Sequence, residues 1–446
     1  MAIIRVIAQP LIQRFASAFT RPTFKRFLTL MAGAILNTGR RTISNILRTL
    51  GSLAPGHPSS YHRVFSRRPW SPTTLARALA GTILRRFAPD AIIPLAGDDT
   101  VDEHRGETVY GKGRHRDPVR STKSYTAWRW GHKWVVLAVL VRIPFAARPW
   151  ALPVLVTLYR TPAWNREHAR RHKTPARLLR QLAAQLMHWF PQRRFLLAGD
   201  GGYGSHEMAR FAHRHRRRLT LISRFTPTAN LYEPLPPYGG KGRPRVKGAK
   251  LPAPKAVVAS EPHTALEVGW YGGGRRAIEV VSETGQWYRS GEGLVPVRWV
   301  FVQDKTGTHR DDYFFSTDPA MTPRPVVEAY TGRWSLETTF QEMRPYLGLE
   351  TTRGRREATV LRMAPCLFGL FSVVALLYER LPERWTRAAA VEWPGKTERT
   401  FSDAITAVRR WLWADWVFAR HGFSEAFSKL PRAFRQSLLS ALAHAA

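Results

Sequence analysis

The chain has 446 residues, and 69 Lys and Arg against 32 Asp and Glu give a formal net charge of +37 at pH 7. A hydrophobic share of 44% with 23% charged residues is that of a globular chain and excludes wholesale disorder. One cysteine, Cys366, excludes a disulfide framework and a cysteine-based zinc site, and it fits a reducing cytosol. No run reaches about 18 apolar residues, so no transmembrane helix is expected. No clear signal-peptide cleavage site follows the amino terminus.

So large a positive excess asks for a polyanion, and duplex DNA carries one negative charge per roughly 1.7 Å of axis. Of the basic residues 57 are Arg and 12 are Lys, and the planar Arg fork suits phosphates and guanine edges. A GC-rich genome would explain that ratio, but not the net excess. Binding to a membrane surface would call for an amphipathic basic helix or a lipid anchor.

Residues 1–88 read as a helical region. Apolar residues recur at helical spacing from Phe24 to Ile35, a turn follows at 37–42, and a short helix is expected over Ile43–Leu50. With Arg40, Arg41, Asn45 and Arg48 outward, this resembles a DNA-binding helix-turn-helix, and it also fits an ordinary helical hairpin. Two more helices are expected around Tyr61–Phe65 and Pro72–Phe87. From residue 89 to 225 the texture turns to strands followed by helices, the pattern of an α/β sheet covered on its faces. The first apolar run, Ala91–Ala96, is followed by Gly97, Asp98, Asp99 and Thr100. Trp134–Val141 and Ala151–Tyr159 read as strands, Glu167–Phe190 as one long helix, and Arg194–Ala198 as a strand ending before Asp200. The β-rich stretch 226–296, with a Pro/Gly/basic loop over 234–250, reads as an inserted subdomain. Residues 297–382 resume strands and helices, with Pro323–Arg344 and the apolar Thr359–Arg380 helical. Residues 383–446 form a helical tail.

Three acidic positions stand out in this acid-poor chain. Asp99 and Asp200 each close a strand, and Glu337 lies on a helix. Strand ends of open α/β sheets are where sites form. Two Asp and one Glu brought together can share Mg²⁺, which prefers carboxylate oxygens and bridges protein to phosphate. Taken singly, each also reads as a turn former or a solvated helix residue.

Tyr330, Arg333, Glu337 and Arg344 follow the spacing Tyr, two residues, Arg, three residues, Glu, six residues, basic. This segment resembles the DDE transposases of bacterial insertion sequences, with Arg344 in place of their final Lys. The stretches around Asp98–Asp99 and Asp200 occur in the matching order, and the resemblance spans about residues 20–380. It implies a ribonuclease-H-like mixed-sheet core in which Asp99, Asp200 and Glu337 are catalytic and hold two Mg²⁺, with Mn²⁺ able to substitute. Either Asp98 or Asp99 can be the ligand, since strand alternation lets only one face the site; the family's Asp-Thr pair points to Asp99. The resemblance also implies binding of duplex DNA at terminal inverted repeats, cleavage and strand transfer, a homodimer in a synaptic complex, and a place at the bacterial nucleoid in the cytoplasm. Tyr330, Arg333 and Glu337 share a helix face, Arg344 lies two turns beyond Glu337, and Tyr330, Arg333 and Arg344 would grip DNA. Among 16 Trp, Trp287 is favoured over Trp270 as a stacking residue for a flipped base, and both also fit a small β core. His168 and His172, four apart, suit a metal but lack a third ligand. The basic runs 213–218 and 353–356 are further phosphate-binding candidates. Two other readings are a transposase-derived DNA-binding protein without catalysis and a nuclease for RNA–DNA hybrids.

Overall fold

The computed structural model describes every residue except 1, 90–91, 105, 118–119, 147, 239, 241–243, 352–353, 392–393, 395, 397 and 446, and gives no side chains for 2–6. Parts of the expected 234–250 loop, the first residue of the 91–96 run and Arg353 of the 353–356 basic run lie outside the described residues.

Five helices come first: α1 (Ala2–Phe15), α2 (Arg21–Leu36), α3 (Ile43–Leu50), α4 (Ser59–Ser66) and α5 (Pro72–Phe87). Their starts follow local chemistry. The Thr42 hydroxyl accepts from Asn45 N at α3, and the Ser71 hydroxyl accepts from Thr74 N where Pro72 opens α5. Phe27 and Phe65 from these helices and Trp70 from the α4–α5 link join one hydrophobic cluster with the sheet residues Trp134, Val136 and Leu152.

The sheet strands are β1 (Ile92–Glu103), β2 (Gly113–Arg116), β3 (Trp128–Val141), β4 (Trp150–Tyr159), β5 (Arg194–Gly199), β6 (Leu219–Arg224), β7 (Leu231–Tyr232), β8 (Thr264–Gly269), β9 (Arg275–Arg289), β10 (Gly293–Asp304) and β11 (Asp312–Ser316). Strand β1 pairs antiparallel with β3 and parallel with β5; β3 pairs antiparallel with β4, and β5 parallel with β6. The order β4-β3-β1-β5-β6 is the mixed arrangement expected of a ribonuclease-H-like core. The β-rich stretch after 226 continues the same sheet, since β6 pairs with β11, β11 with β10, and β10 with β9. Expected pieces 276–282 and 286–289 form one strand, because β10 pairs β9 from Ile278 to Arg289.

Helix α6 (Pro175–Trp189) covers one face; its Leu179 lies where a Cβ on Gly97 would clash at 2.5 Å. Helices α7 (Pro323–Gly332), α8 (Ser335–Leu347), α9 (Glu357–Tyr378) and α10 (Phe401–Leu412) follow. Helix α9 has the length and apolarity of a membrane span, but two thirds of its apolar stretch is buried inside the protein, where Phe368 meets Trp134 and Phe371 stacks on Phe401.

Three expectations need correction. Strand β1 does not end at Ala96 but runs to Glu103, because β3 pairs with it as far as Glu103. The expected helix 167–190 is broken. Residues 168–174 are not helical, Ala169 has φ +50°, and Pro175 begins a new helix. His168 and His172 therefore share no helix: His168 stacks on Trp164 at 3.9 Å, and His172 Nδ1 lies 3.1 Å from Asn165 Nδ2. The expected helix 323–344 breaks after Gly332, although Arg333 and Trp334 keep near-helical dihedrals.

Candidate active site

The last parallel pair between β1 and β5 is Gly97 with Gly199. One step further along both strands lie Asp98 and Asp200, adjacent and on one face. Asp99 faces the other side. Its carboxylate accepts from the Tyr203 hydroxyl at 2.8 Å and pairs with Lys133 at 2.8 Å. The expectation that Asp99 joins Asp200 and Glu337 is thus corrected: the residue brought to them is Asp98. The reason is the two-residue period of a strand paired on both edges.

The acids meet at Arg333, at the α7–α8 junction. Its guanidinium is hydrogen-bonded to Asp98 and lies 3.1 Å from Glu337 and 3.7 Å from Asp200. The Tyr330 hydroxyl donates to Asp200 Oδ1 at 3.3 Å. Burial pushes the Asp98 carboxyl up to about 8. Arg333 works against this shift, and Asp99, Asp200 and Glu337 add to it. Burial also raises Glu337 above the usual carboxylate range, with Arg333 opposing. Burial disfavours the Arg333 cation, yet Asp98, Tyr330, Asp200 and Glu337 outweigh it and hold its pKa above the ordinary value. One buried cation thus stands against three crowded acids, an arrangement with a shortage of positive charge.

Outside this cluster the cleft is bounded by Arg224, Tyr271, His309, Asp312 and Trp334. Arg224 pairs with Asp312 at 3.0 Å. Trp334 is 40% exposed and meets Tyr271 edge-on.

A second group with cation-binding spacing is buried further along the sheet: Asp102, His104 and His132. Both Asp102 oxygens are already hydrogen-bonded, to His132 N at 3.1 Å and to Trp134 Nε1 and His104 Nε2 at 3.2 Å each. His132 Nε2 meets the Tyr110 carbonyl at 2.8 Å. Gly131 permits this packing, since a Cβ there would lie 1.8 Å from the Asp102 carbonyl oxygen.

The sequence profile described as DDE superfamily endonuclease matches residues 14–277. The chain belongs to the DDE endonuclease superfamily. The matched stretch contains both candidate aspartates and ends before Glu337. None of the curated proteins compared matches the chain. Among solved structures, a piggyBac transposase in a synaptic complex with hairpin DNA is 11% identical. The comparison has a TM-score of 0.43 and covers 99% of this chain and 83% of that one.

In this DDE-family chain the expected DNA-contacting residues fall into different places. Arg40 at the α2–α3 turn and Arg48 in the last turn of α3 are exposed. Arg41 is turned inward and is 2% exposed. Its guanidinium donates to the carbonyls of Thr38, Gly39 and Tyr346, so it ties the turn to the end of α8. Tyr330 is buried against Phe314 at 4.3 Å, and its hydroxyl reaches Asp200. Arg344 is half-buried and donates to Thr100 Oγ1 at 2.9 Å and Glu350 at 3.1 Å. Trp287 is packed among His206, Phe225 and Phe315, with ring centroids 4.9–5.4 Å away. Trp287 is partly buried in this cluster, which fits its alternative reading as a residue of a small β core. Trp270 is buried. Sequence reasoning did not single out Arg224, Asp312 or Trp334; only Trp334 carried a signal, its place between Arg333 and Glu337 in the motif.

Proposed function

We propose that this DDE-family protein is a transposase. It binds duplex DNA at the terminal inverted repeats of an insertion sequence, and it catalyses metal-dependent phosphodiester cleavage and strand transfer. The observation that carries this reading is the convergence of Asp98, Asp200 and Glu337, from two strands and a helix, on Arg333. The +37 charge supplies the attraction for DNA.

The donor set fits a hard divalent cation: three carboxylates, all oxygen donors, short of positive charge and opening on a cleft. Asp98, Asp200 and Glu337 would hold Mg²⁺, as two ions, with Mn²⁺ as a substitute. When bound, the metal supplies charge neutralisation at the scissile phosphate and activation of the attacking hydroxyl. The chain's own residues do the rest. Arg333 holds the three carboxylates in register, and Tyr330 fixes the Asp200 oxygen through its hydroxyl. Arg224 places a cation at the cleft wall, where a phosphate can approach. Asp99 with Lys133 and Tyr203 braces the strand from behind. A homodimeric synapse at the cytoplasmic nucleoid completes this reading.

The test is nicking of a duplex that carries the element's own ends, in Mg²⁺ and in chelator. Cleavage only with metal, lost in Asp200→Ala and Glu337→Ala with DNA binding retained, is the expected result. Either variant cutting at the wild-type rate overturns the site, and a preference for RNA–DNA hybrid over duplex overturns the substrate.

A further inference from the structure

Strands β2 and β3 form a hairpin with an unusual outer face. Arg114 pairs directly across from Trp130, and Arg116 from Trp128. Burial alternates along β2: His115 points in, whereas Arg114 and Arg116 point out. Trp128 is 50% exposed, Trp130 53% and Tyr125, in the connecting loop, 65%. Large aromatics are rarely left so open in such a cluster without a partner. Each indole also lies beside a cation, with Arg114 4.6 Å from the Trp128 ring centroid and Lys112 5.4 Å from that of Trp130. The acid that follows β2, Asp117, is turned inward and held by Arg129 at 2.9 Å.

The hairpin and the acidic cleft share strand β3, and the stretch between them, with Thr100, Asp102, His132 and Trp134, is buried beneath α8 and α9. Val136 of β3 lies opposite Asp98, and His132 opposite Asp102. Alternation then puts Trp130 and Trp128 on the sheet face that carries Asp98. Six residues at ~3.3 Å each separate the levels of Asp98 and Trp130, roughly 20 Å along the strand. A strand that joins the two passes around these helices rather than along the sheet face.

We propose that the β2–β3 hairpin is a stacking platform for unpaired nucleobases of a DNA strand that reaches the acidic cleft. Trp128 and Trp130 take the base faces, and Arg114, Arg116 and Lys112 neutralise the neighbouring phosphates. Unpaired bases fit because an indole stacks on a base face, and a duplex interior hides its faces and offers only edges. A second copy of the chain would bring one cationic face against another molecule of the same net charge, +37. The inference deepens the transposase reading and rests on DNA being the substrate.

The test uses the full chain without metal, so that nuclease activity plays no part. Anisotropy of a labelled strand is compared for a single strand of ordinary bases, an abasic strand of equal length, and a blunt duplex. Wild-type protein should prefer the base-bearing strand to the abasic one at least tenfold. Trp128→Ala with Trp130→Ala should lose tenfold or more for that strand, and threefold or less for the abasic strand and the duplex. Trp128→Phe with Trp130→Phe, which keeps the ring faces, should retain most of the affinity and guards against misfolding of the Ala variant. Equal affinity of wild type for base-bearing and abasic strands overturns the proposal. So does an equal loss for all three DNAs, or a change in sedimentation that shows the indoles joining two copies. If no DNA binds at all, the transposase reading fails with it; if duplex binds and the platform variants change nothing, only the platform fails.

Discussion

Arg333 at the α7–α8 junction and Asp98 in the middle of β1, 235 residues apart in the chain, are hydrogen-bonded to each other inside the protein. Through this pair the guanidinium, with its side chain 4% exposed, gathers Asp98, Asp200 and Glu337. A buried cation so placed is costly to remove, because the acids it serves stay behind. Arg333→Ala is expected to lower unfolding stability by about 3–5 kcal/mol in chelator. Millimolar Mg²⁺ should restore part of the loss. Denaturant unfolding in both conditions checks this, and a loss below about 1 kcal/mol would sink the view of Arg333 as the charge that holds the cluster.

The two adjacent aspartates should behave differently. Asp98→Asn is expected to slow duplex cleavage on the order of 10³-fold, the cost of losing several kcal/mol of metal-borne charge stabilisation. Asp99→Asn loses only a pair with Lys133 and a bond from Tyr203, so cleavage should fall less than about tenfold. Single-turnover rates of both variants decide the matter. A reversed order returns the ligand role to Asp99.

Glu342 on α8 provides a pH signature away from the acidic cleft. Burial pushes its carboxyl from 4.5 up to about 7, although Arg148 at 3.7 Å and a hydrogen bond from the Phe401 backbone pull it down. The folded state therefore keeps a proton that the unfolded chain has released between those two values. Stability should fall as pH rises through that window and level off above it. In Glu342→Gln the drop in unfolding free energy between pH 5 and pH 8 should shrink on the order of 2–3 kcal/mol. The same drop in both proteins would contradict this.

The arginines of the α2–α3 segment should part company. Arg40→Ala and Arg48→Ala are expected to leave stability within about 0.5 kcal/mol, weaken duplex binding, and each reduce the slope of log affinity against log salt by roughly 1. Arg41→Ala removes the buried donor shared by the carbonyls of Thr38, Gly39 and Tyr346, so it should cost about 2 kcal/mol of stability. A salt titration beside a melting curve separates the two behaviours, and an Arg41 variant of full stability but poor DNA affinity would reverse the assignment.

Trp287→Ala is likewise expected to act on the core. With its partly buried ring against His206, Phe225 and Phe315, the loss should be about 3 kcal/mol of stability. Affinity for an unpaired strand, measured below the melting range, should stay unchanged.

Much of the architecture was open to reading before any coordinates, because it rests on local signals. Helices Ile43–Leu50 and Pro72–Phe87 were expected with the boundaries observed, since a hydroxyl cap, a proline at the first turn and helical apolar spacing act within a few residues. The spacing of Tyr330, Arg333 and Glu337 survived even the break after Gly332, because the residues at the break keep near-helical dihedrals. The broken helix at 168–174 was missed because an apolar period says nothing about a positive φ at Ala169.

By itself the sequence determined the composition of the protein's chemistry: a strongly basic surface, few acids, and a spaced Tyr, Arg and Glu on a helical segment. Those properties belong to residues and their near neighbours. Only the tertiary structure decided which side each residue faces. Asp98 rather than Asp99 meets Asp200, because the register of β1 against β5 sets the alternation. Arg41 is buried and Trp287 partly buried while Trp128 and Trp130 are open, because packing partners come from distant parts of the chain. Burial and strand facing are long-range quantities, so identical residue types a few positions apart end with opposite roles.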